Sequence, residues 1–396
     1  MRHKLLYFLK THPRFLSFCW SVAKVLLRVA AVFVPVRKKT VLFSSFGGRG
    51  LHDSPRAIYE EMCRRPFFSD YEFIWALDDP KKFDLPRGRA VKIDTPAFFL
   101  ALLYSRVWVG NSEIDRGIGL GGHRHVRVET WHGTPLKCIG GEEKQNSILA
   151  KKRVRGKKDS LTLRCAQSEY DKEIFMRIFD ATEDSFLLCD LPRNDALTAS
   201  DIAARGARTK EALGIPADRR VILYMPTYRE YLVDEKRRHY ITPPITESKW
   251  KEALSDRYAV LVRAHYAVSA AMQLDGDGLF YDVSNYPDLT DLYAAADVLL
   301  SDYSSAFVDY SILERPMLCF AYDLDVYLEK RGLYVDLEKT LPCPVCRDED
   351  VLLSCIAEMD VKEYTARARD FRMRFAPYAG HAASTVTDEI EKRLCS

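Results

Sequence analysis

Asp297-Val-Leu-Leu-Ser-Asp-Tyr-Ser-Ser-Ala-Phe-Val-Asp-Tyr-Ser311 opens with an apolar run that stops at Asp302. Two serines follow, and then Phe307, Val308 and Ile312 recur at helical spacing. The run is short and rich in branched residues, as in a strand buried on both faces of a parallel sheet. Ser304 and Ser305 open the helix behind it, where hydroxyls and backbone N–H groups together favour an anion. A serine N-cap in an ordinary strand–helix unit has the same pattern.

The alternation repeats outward in both directions. Apolar runs at 40–46, 72–77, 90–94, 106–109, 126–131, 163–167 and 186–189 are separated by longer amphipathic stretches. The pattern restarts at 220–225, 259–263, 279–283, 298–301 and 317–321. Strands alternating with helices predict an α/β fold with parallel sheets. Two halves of about 160 residues predict two Rossmann-like domains facing a cleft, with ligands beyond the carboxyl ends of the strands. Residues 197–215 are polar and Ala-rich and contain Gly206 and Gly214, so they read as a helical linker. The expected segments are 1–39, 40–205 and 206–396.

Three further strand ends carry chemistry. In Glu129-Thr-Trp-His-Gly-Thr-Pro-Leu-Lys137, His132 precedes a glycine that permits close approach to the backbone. A histidine there is either a general base or a structural residue. Leu223-Tyr-Met-Pro-Thr-Tyr-Arg-Glu230 brings Pro226, Thr227 and Arg229 to a strand end. Val260-Leu-Val-Arg-Ala-His-Tyr266 places Arg263 and His265 two residues apart, on one side of an extended chain, which suits a phosphate or a surface ion pair.

Charge is distributed unevenly. Residues 1–39 hold nine Lys or Arg and no acid, and the rest of the chain has a net charge of −6. A near-neutral body argues against a nucleic-acid partner. Residues 15–36 include twelve Leu, Val or Phe, interrupted by Lys24 and Arg28. Those two cost about 5–7 kcal/mol in a bilayer centre against roughly 4–7 returned, so spanning is marginal. Arg14, Ser17, Ser21, Lys24 and Arg28 fall on one helical face. That predicts an amphipathic helix lying on an anionic membrane surface, the alternative being a helix docked on the protein itself. The run of Lys and Arg from Lys144 to Lys158 is either a solvated loop or a contact for phosphates. Ten scattered cysteines without a secretory signal fit a reducing compartment, and Cys343-Pro-Val-Cys346 lacks the second pair of a zinc site. No acidic cluster has metal spacing, so no tightly bound metal or cofactor is expected.

Taken together, the clusters resemble the CDP-glycerol glycerophosphotransferases of teichoic-acid and capsule synthesis. The matching residues are Trp131-His-Gly-Thr-Pro-Leu-Lys137, Pro192-Arg-Asn-Asp195, Pro226-Thr-Tyr-Arg229, Arg263-Ala-His-Tyr266 and Ser301-Asp-Tyr-Ser-Ser305. Asp309, Arg315-Pro316, Tyr322-Asp323, Tyr327 and Arg331-Gly332 continue the match, and Ser45 and Ser54-Pro55 resemble the family's first loop. The resemblance implies a GT-B-like architecture and transfer of glycerol phosphate from CDP-glycerol to a lipid-linked saccharide or polyol-phosphate acceptor, with loss of CMP. His132 then matches the family's base, and His265 and Arg263 match its pyrophosphate ligands. Pro226, Thr227, Arg229, Asp302, Ser304 and Ser305 fall on the donor side, and Asp309 on the ribose. Gly133, Thr134 and Lys137 fall on the acceptor side. It also implies a peripheral position on the cytoplasmic membrane face. CDP-ribitol transfer and a GT-B nucleotide-sugar glycosyltransferase are the alternatives.

Overall fold

A computed structural model of the chain describes residues 13–120, 124–144, 162–229, 231–232, 243–264 and 278–395. The first sheet contains β1 (Arg37–Ser44), β2 (Glu72–Leu77), β3 (Arg89–Lys92), β4 (Ser105–Gly110), β5 (Val126–Glu129), β6 (Thr162–Ala166) and β7 (Phe186–Leu188). Its order is β3-β2-β1-β4-β5-β6-β7. The second contains β8 (Arg220–Met225), β9 (Tyr258–Val262), β10 (Phe280–Asp282), β11 (Val298–Ser301), β12 (Met317–Phe320) and β13 (Val345–Cys346), in the order β10-β9-β8-β11-β12-β13.

Registers are parallel: Val41 lies beside Phe73 and Val107, and Leu299 beside Leu223 and Met317. Strands covered by helices on both faces read as unbroken apolar runs, which is why twelve of the thirteen were legible in the sequence. The thirteenth is two residues long, inside Cys343-Pro-Val-Cys346. In each sheet the order reverses once, between β1 and β4 and between β8 and β11. Loops leave such a point in opposite directions, and the strand ends there form a crevice for ligands.

By packing, the chain divides into Met1–His132 with Lys157–Cys165 and Val386–Ser396, and Gly133–Gly156 with Ala166–Thr385. This differs from the boundary at 205/206. Helix Ile202–Ala212 runs straight through that position and packs within the second unit. Gly206 explains the packing: a Cβ there would lie 2.3 Å from the Ala294 carbonyl oxygen, so only glycine lets helix Leu289–Ala295 approach so closely. The glycine that suggested a linker is a packing residue.

The N-terminal helix Pro13–Phe33 rests on the first unit through Trp20, Leu27, Ala30, Ala31 and, just beyond its end, Val34. Arg28 Nε donates to the Ile118 carbonyl (2.6 Å), and Arg124 donates to Val34 (2.7 Å). Its opposite side leaves Phe18, Val22, Val25, Leu26, Val29, Val32 and Phe33 exposed, the last at 80%. One face docks on the unit, as in the second of the two alternatives, and an apolar stripe faces outward. No helix among the described residues is long and apolar enough to cross a membrane.

Candidate active site

In the first unit, the reversal of strand order brings the end of β1 beside the end of β4. Asn111, the residue after β4, holds this crevice together. Its side chain accepts from the Phe46 N–H (2.7 Å) and donates to Asp53 Oδ1 (2.9 Å) and Ser45 Oγ (3.4 Å). Its backbone carbonyl faces His132 Nδ1 at 3.0 Å. A carbonyl only accepts, so Nδ1 carries the proton and, in the neutral ring, Nε2 carries the lone pair. The Phe46 ring packs between two imidazoles, with centroids 5.6 Å from His132 and 5.4 Å from His52. Ser45 Oγ donates to the His52 carbonyl (2.9 Å) and lies 3.1 Å from His52 Nδ1.

The His132 turn is conformationally unusual. Trp131 has φ 55° and stacks on His132, and Gly133 has φ 145°. A non-glycine residue with positive φ costs about 1–2 kcal/mol, and such strain gathers where function requires it. A Cβ on Gly133 would lie 2.3 Å from Ser305 Oγ. Glycine is therefore required twice over, by conformation and by the serine pair.

In the second unit the reversal lies between β8 and β11. There Asp302 accepts from the Thr227 N–H at 2.9 Å and the Tyr303 N–H at 2.6 Å. Arg229 is fully buried between two carboxylates. It meets Asp302 at 2.9 Å and Asp323 through two bonds of 2.8 Å. Tyr303 and Tyr231 donate to Asp323, and the Tyr303, Tyr327 and Tyr322 rings surround the guanidinium. Burial pushes the Asp323 carboxyl up, but hydrogen bonds and charge from Arg229 outweigh it and hold it below the ordinary range.

Arg263, one residue beyond β9, is held differently. Its Nη1 donates to the carbonyls of Tyr286 (2.8 Å) and Val283 (3.4 Å). Among the described residues these are carbonyl partners, not carboxylates, and burial pushes its pKa down. A half-buried cation so placed favours an added anion.

A second acidic cluster lies behind Gly133. Asp309 accepts from Arg193 Nη2 (2.7 Å) and Asn194 Nδ2 (2.9 Å). Asn194 Nδ2 and Gln167 Nε2 also donate to Asp190 Oδ1, at 3.1 and 2.7 Å. Thr134 Oγ1 lies 3.1 Å from both Gln167 Oε1 and Asp171 Oδ2. Asp195 accepts from the N–H groups of Ala382 and Ala383 and so caps the last helix, Ala382–Cys395. Among the described residues, no group of three or more His, Cys, Asp or Glu is arranged to hold a metal.

Residues 26–392 match the family described as CDP-Glycerol:Poly(glycerophosphate) glycerophosphotransferase. The chain belongs to that family. A teichoic acid poly(glycerol phosphate) polymerase of Staphylococcus epidermidis is 31% identical over 91% of this chain. A teichoic acid glycerol-phosphate transferase of Staphylococcus aureus is 30% identical over 90% of this chain and 93% of its own length. The chain spans about half the length of the polymerases it matches, 51% for S. epidermidis and 45% for Bacillus subtilis. The solved wall teichoic acid polymerase TagF superposes with a TM-score of 0.84 at 29% identity, covering 100% of this chain and 98% of that one. The fold is accordingly GT-B-like, with two parallel-sheet domains. The UDP-GlcNAc 2-epimerase of Neisseria meningitidis, 10% identical with a TM-score of 0.54, shares the fold alone.

Against this glycerophosphotransferase frame, the expected site residues separate by position. His132, Gly133, Thr134, Ser304, Ser305 and Arg263 lie at strand ends or the turns beyond them. Pro226 and Thr227 line the second crevice as a buried turn. Arg229, Asp302 and Asp309, expected to touch the donor, are instead interior. Arg229 is spent on two carboxylates, Asp302 on Arg229 and two N–H groups, and Asp309 on Arg193 and Asn194. Lys137 forms an antiparallel bridge with Leu333. Helix Ala306–Ser311 is only six residues long, and Ser305 makes no side-chain cap; Ser304 Oγ accepts from the Ala306 N–H at 3.1 Å. His265 and the basic residues from Lys151 to Lys158 lie outside the described residues. Sequence reasoning missed Asn111, His52, Asp171 and Asp190. Only Asn111 left a signal, as the first polar residue after an apolar strand at the reversal point.

Proposed function

We propose that the chain transfers glycerol phosphate from CDP-glycerol to a hydroxyl of a lipid-linked acceptor, releasing CMP, with His132 as the base. The observation that carries this reading is the His132 Nδ1 contact with the Asn111 carbonyl, because it leaves Nε2 as the basic nitrogen. The acceptor hydroxyl gives its proton to Nε2 as its oxygen attacks the β-phosphorus. The bond to the bridging oxygen breaks and CMP departs. Arg263, His265, Ser304 and Ser305 neutralise and orient the pyrophosphate, the main requirement of a phosphoryl transfer. Gly133, Thr134 and Lys137 belong to the acceptor-side loop.

Relatives support glycerol over ribitol. A Bacillus spizizenii poly(ribitol-phosphate) polymerase matches at 23% identity, below the glycerol-phosphate relatives. A histidine-to-asparagine variant of TagF has been soaked with CDPG, in keeping with a donor site in this fold.

The acceptor reading also draws on the N-terminal helix. Its exposed apolar stripe, flanked by Lys24 and a strongly basic terminus, suits a helix lying in an anionic bilayer interface on the cytoplasmic face. Incubation of the chain with CDP-glycerol or CDP-ribitol over a panel of lipid-linked acceptors, read by product mass, tests the proposal. Addition of glycerol phosphate supports it. Exclusive use of CDP-ribitol, or transfer of a sugar from a nucleotide sugar, overturns it.

A further inference from the structure

The acidic cluster behind Gly133 contains more hydrogen-bond acceptors than protons if every acid is ionised. Thr134 Oγ1 lies 3.1 Å from Gln167 Oε1 and 3.1 Å from Asp171 Oδ2, and a hydroxyl has one proton to give. The Gln167 amide is oriented by its other end, because Nε2 donates to Asp190 Oδ1 at 2.7 Å. Its Oε1 is therefore an acceptor that competes with Asp171 Oδ2 for the one Thr134 proton. With Asp171 ionised, one of these two contacts sets lone pairs against each other. With Asp171 protonated, Oδ2–H donates to Thr134 Oγ1 while Oδ2 still accepts the Gln167 N–H (3.3 Å), and every contact in the chain becomes a hydrogen bond.

Charge leads to the same assignment. Asp171, Asp190 and Asp309 are buried together, and Arg193, paired with Asp309, is the cation bonded within the cluster. Among the described residues, Asp171 Oδ1 and Asp190 Oδ2 accept no hydrogen bond, a costly arrangement for two anions. Tyr170, next in the chain, donates to the Pro135 carbonyl (2.9 Å), and burial pushes its own pKa up. Asp171 also lies in the first turn of helix Glu169–Phe179, where the dipole favours a carboxylate. Burial prevails: it pushes Asp171 up to about 8 and Asp190 to about 7, against the opposing hydrogen bonds.

We propose that Asp171 works as a carboxylic acid, and that the proton it donates to Thr134 holds the His132-Gly133-Thr134 turn in its strained shape. Asp171 is then a positioning residue for the proposed base, and only the activity readout of this inference rests on the glycerophosphotransferase reading. The proton stays on Asp171 throughout the reaction. Loss of that proton at alkaline pH turns the Thr134 contact repulsive and releases the turn.

The test compares the full-length wild type with Asp171→Asn, Asp171→Ala and Thr134→Val. Glycerol-phosphate transfer is measured from about pH 6 to about pH 9.5, with thermal stability recorded for each protein. Asn keeps a neutral donor towards Thr134 and gives up only the long Gln167 N–H contact (3.3 Å), so Asp171→Asn keeps kcat within about threefold at neutral pH and loses the alkaline decline seen in the wild type. Asp171→Ala and Thr134→Val lower kcat about tenfold or more with little change in donor KM. A direct readout is independent of activity: infrared spectra of protein carrying 13C-labelled aspartate show a protonated carboxyl band. The part of that band due to Asp171 disappears as pH rises past about 8 and is missing from Asp171→Asn, where the remaining band, from Asp190, fades near 7. Equal loss of kcat in Asp171→Asn and Asp171→Ala at neutral pH, or a wild type with no protonated aspartate band there, overturns the inference. If the wild type transfers nothing from CDP-glycerol, the functional reading fails by itself, and the infrared band still decides the state of Asp171. If a variant does not fold, the wild-type band and the alkaline limb of its pH profile decide the question.

Discussion

Two buried acid clusters in the second unit are built to opposite rules. Around Arg229, one guanidinium bridges two carboxylates, and tyrosine hydroxyls cover the remaining negative charge. Around Asp309, three carboxylates are buried near one another, Asp309 alone is shown paired with Arg193, and an oxygen each of Asp171 and Asp190 accepts no hydrogen bond among the described residues. The first cluster keeps its charges and acts as a rigid strut between the Thr227 turn and the Asp302 turn. The second relieves its charge by holding protons. Both stand behind crevice-lining loops, so the same acidic chemistry is used once for rigidity and once with an inherent sensitivity to pH.

Removing each cation separates the two. Arg229→Met leaves Asp302 and Asp323 buried without a counter-charge, and is expected to cost about 3–5 kcal/mol in chemical denaturation. Arg193→Met is expected to cost less, about 1–3 kcal/mol, because neighbouring acids with raised pKa values take up protons in its place. Its cost should shrink as pH falls, and a pH-independent cost would show that the second cluster is charged like the first.

The next test adds no charge. The folded pKa of Asp171, about 8, lies above the ordinary carboxylate value, so its stabilising contribution is complete at low pH and is lost as pH rises towards and through about 8. Asp171→Asn has no proton to lose. Its melting temperature should match or exceed that of the wild type, with the gap widening by several degrees as pH rises from about 4 to about 8 and levelling off above that. A gap that narrows with rising pH would contradict this. The smallest effect belongs to Ser305, which makes no side-chain cap. Ser305→Ala should change stability by under about 0.5 kcal/mol while raising the donor KM several-fold, as measured by initial rates.

Much of this was legible in the sequence, and the limits have physical causes. Doubly covered parallel strands write themselves as apolar runs, so β1 to β12 and the two-sheet division could be read directly. His132 and Gly133 stood out as a polar turn after such a run. Arg229, Asp302 and Asp309 were equally visible, yet their role was not. A charged residue at a strand end looks the same whether it turns towards a ligand or is neutralised inside, and only the Asp323 and Arg193 contacts decide it. Asp171 could not have been found by pattern, because a buried acid inside an amphipathic helix looks like a surface acid, and Asp190, in the turn after β7, looks like any loop acid. Gly206 misled for a related reason: a residue chosen for close helix packing has the same letter as one chosen for a flexible joint.

The central claim is that His132 supplies the base and the donor is held by other groups. Its most direct test is His132→Ala in the full chain, with transfer to a lipid-linked acceptor measured beside calorimetric CDP-glycerol binding. The account predicts that transfer is abolished while donor affinity stays within about threefold of the wild type. Loss of CDP-glycerol binding, or transfer persisting near the wild-type rate, would contradict it.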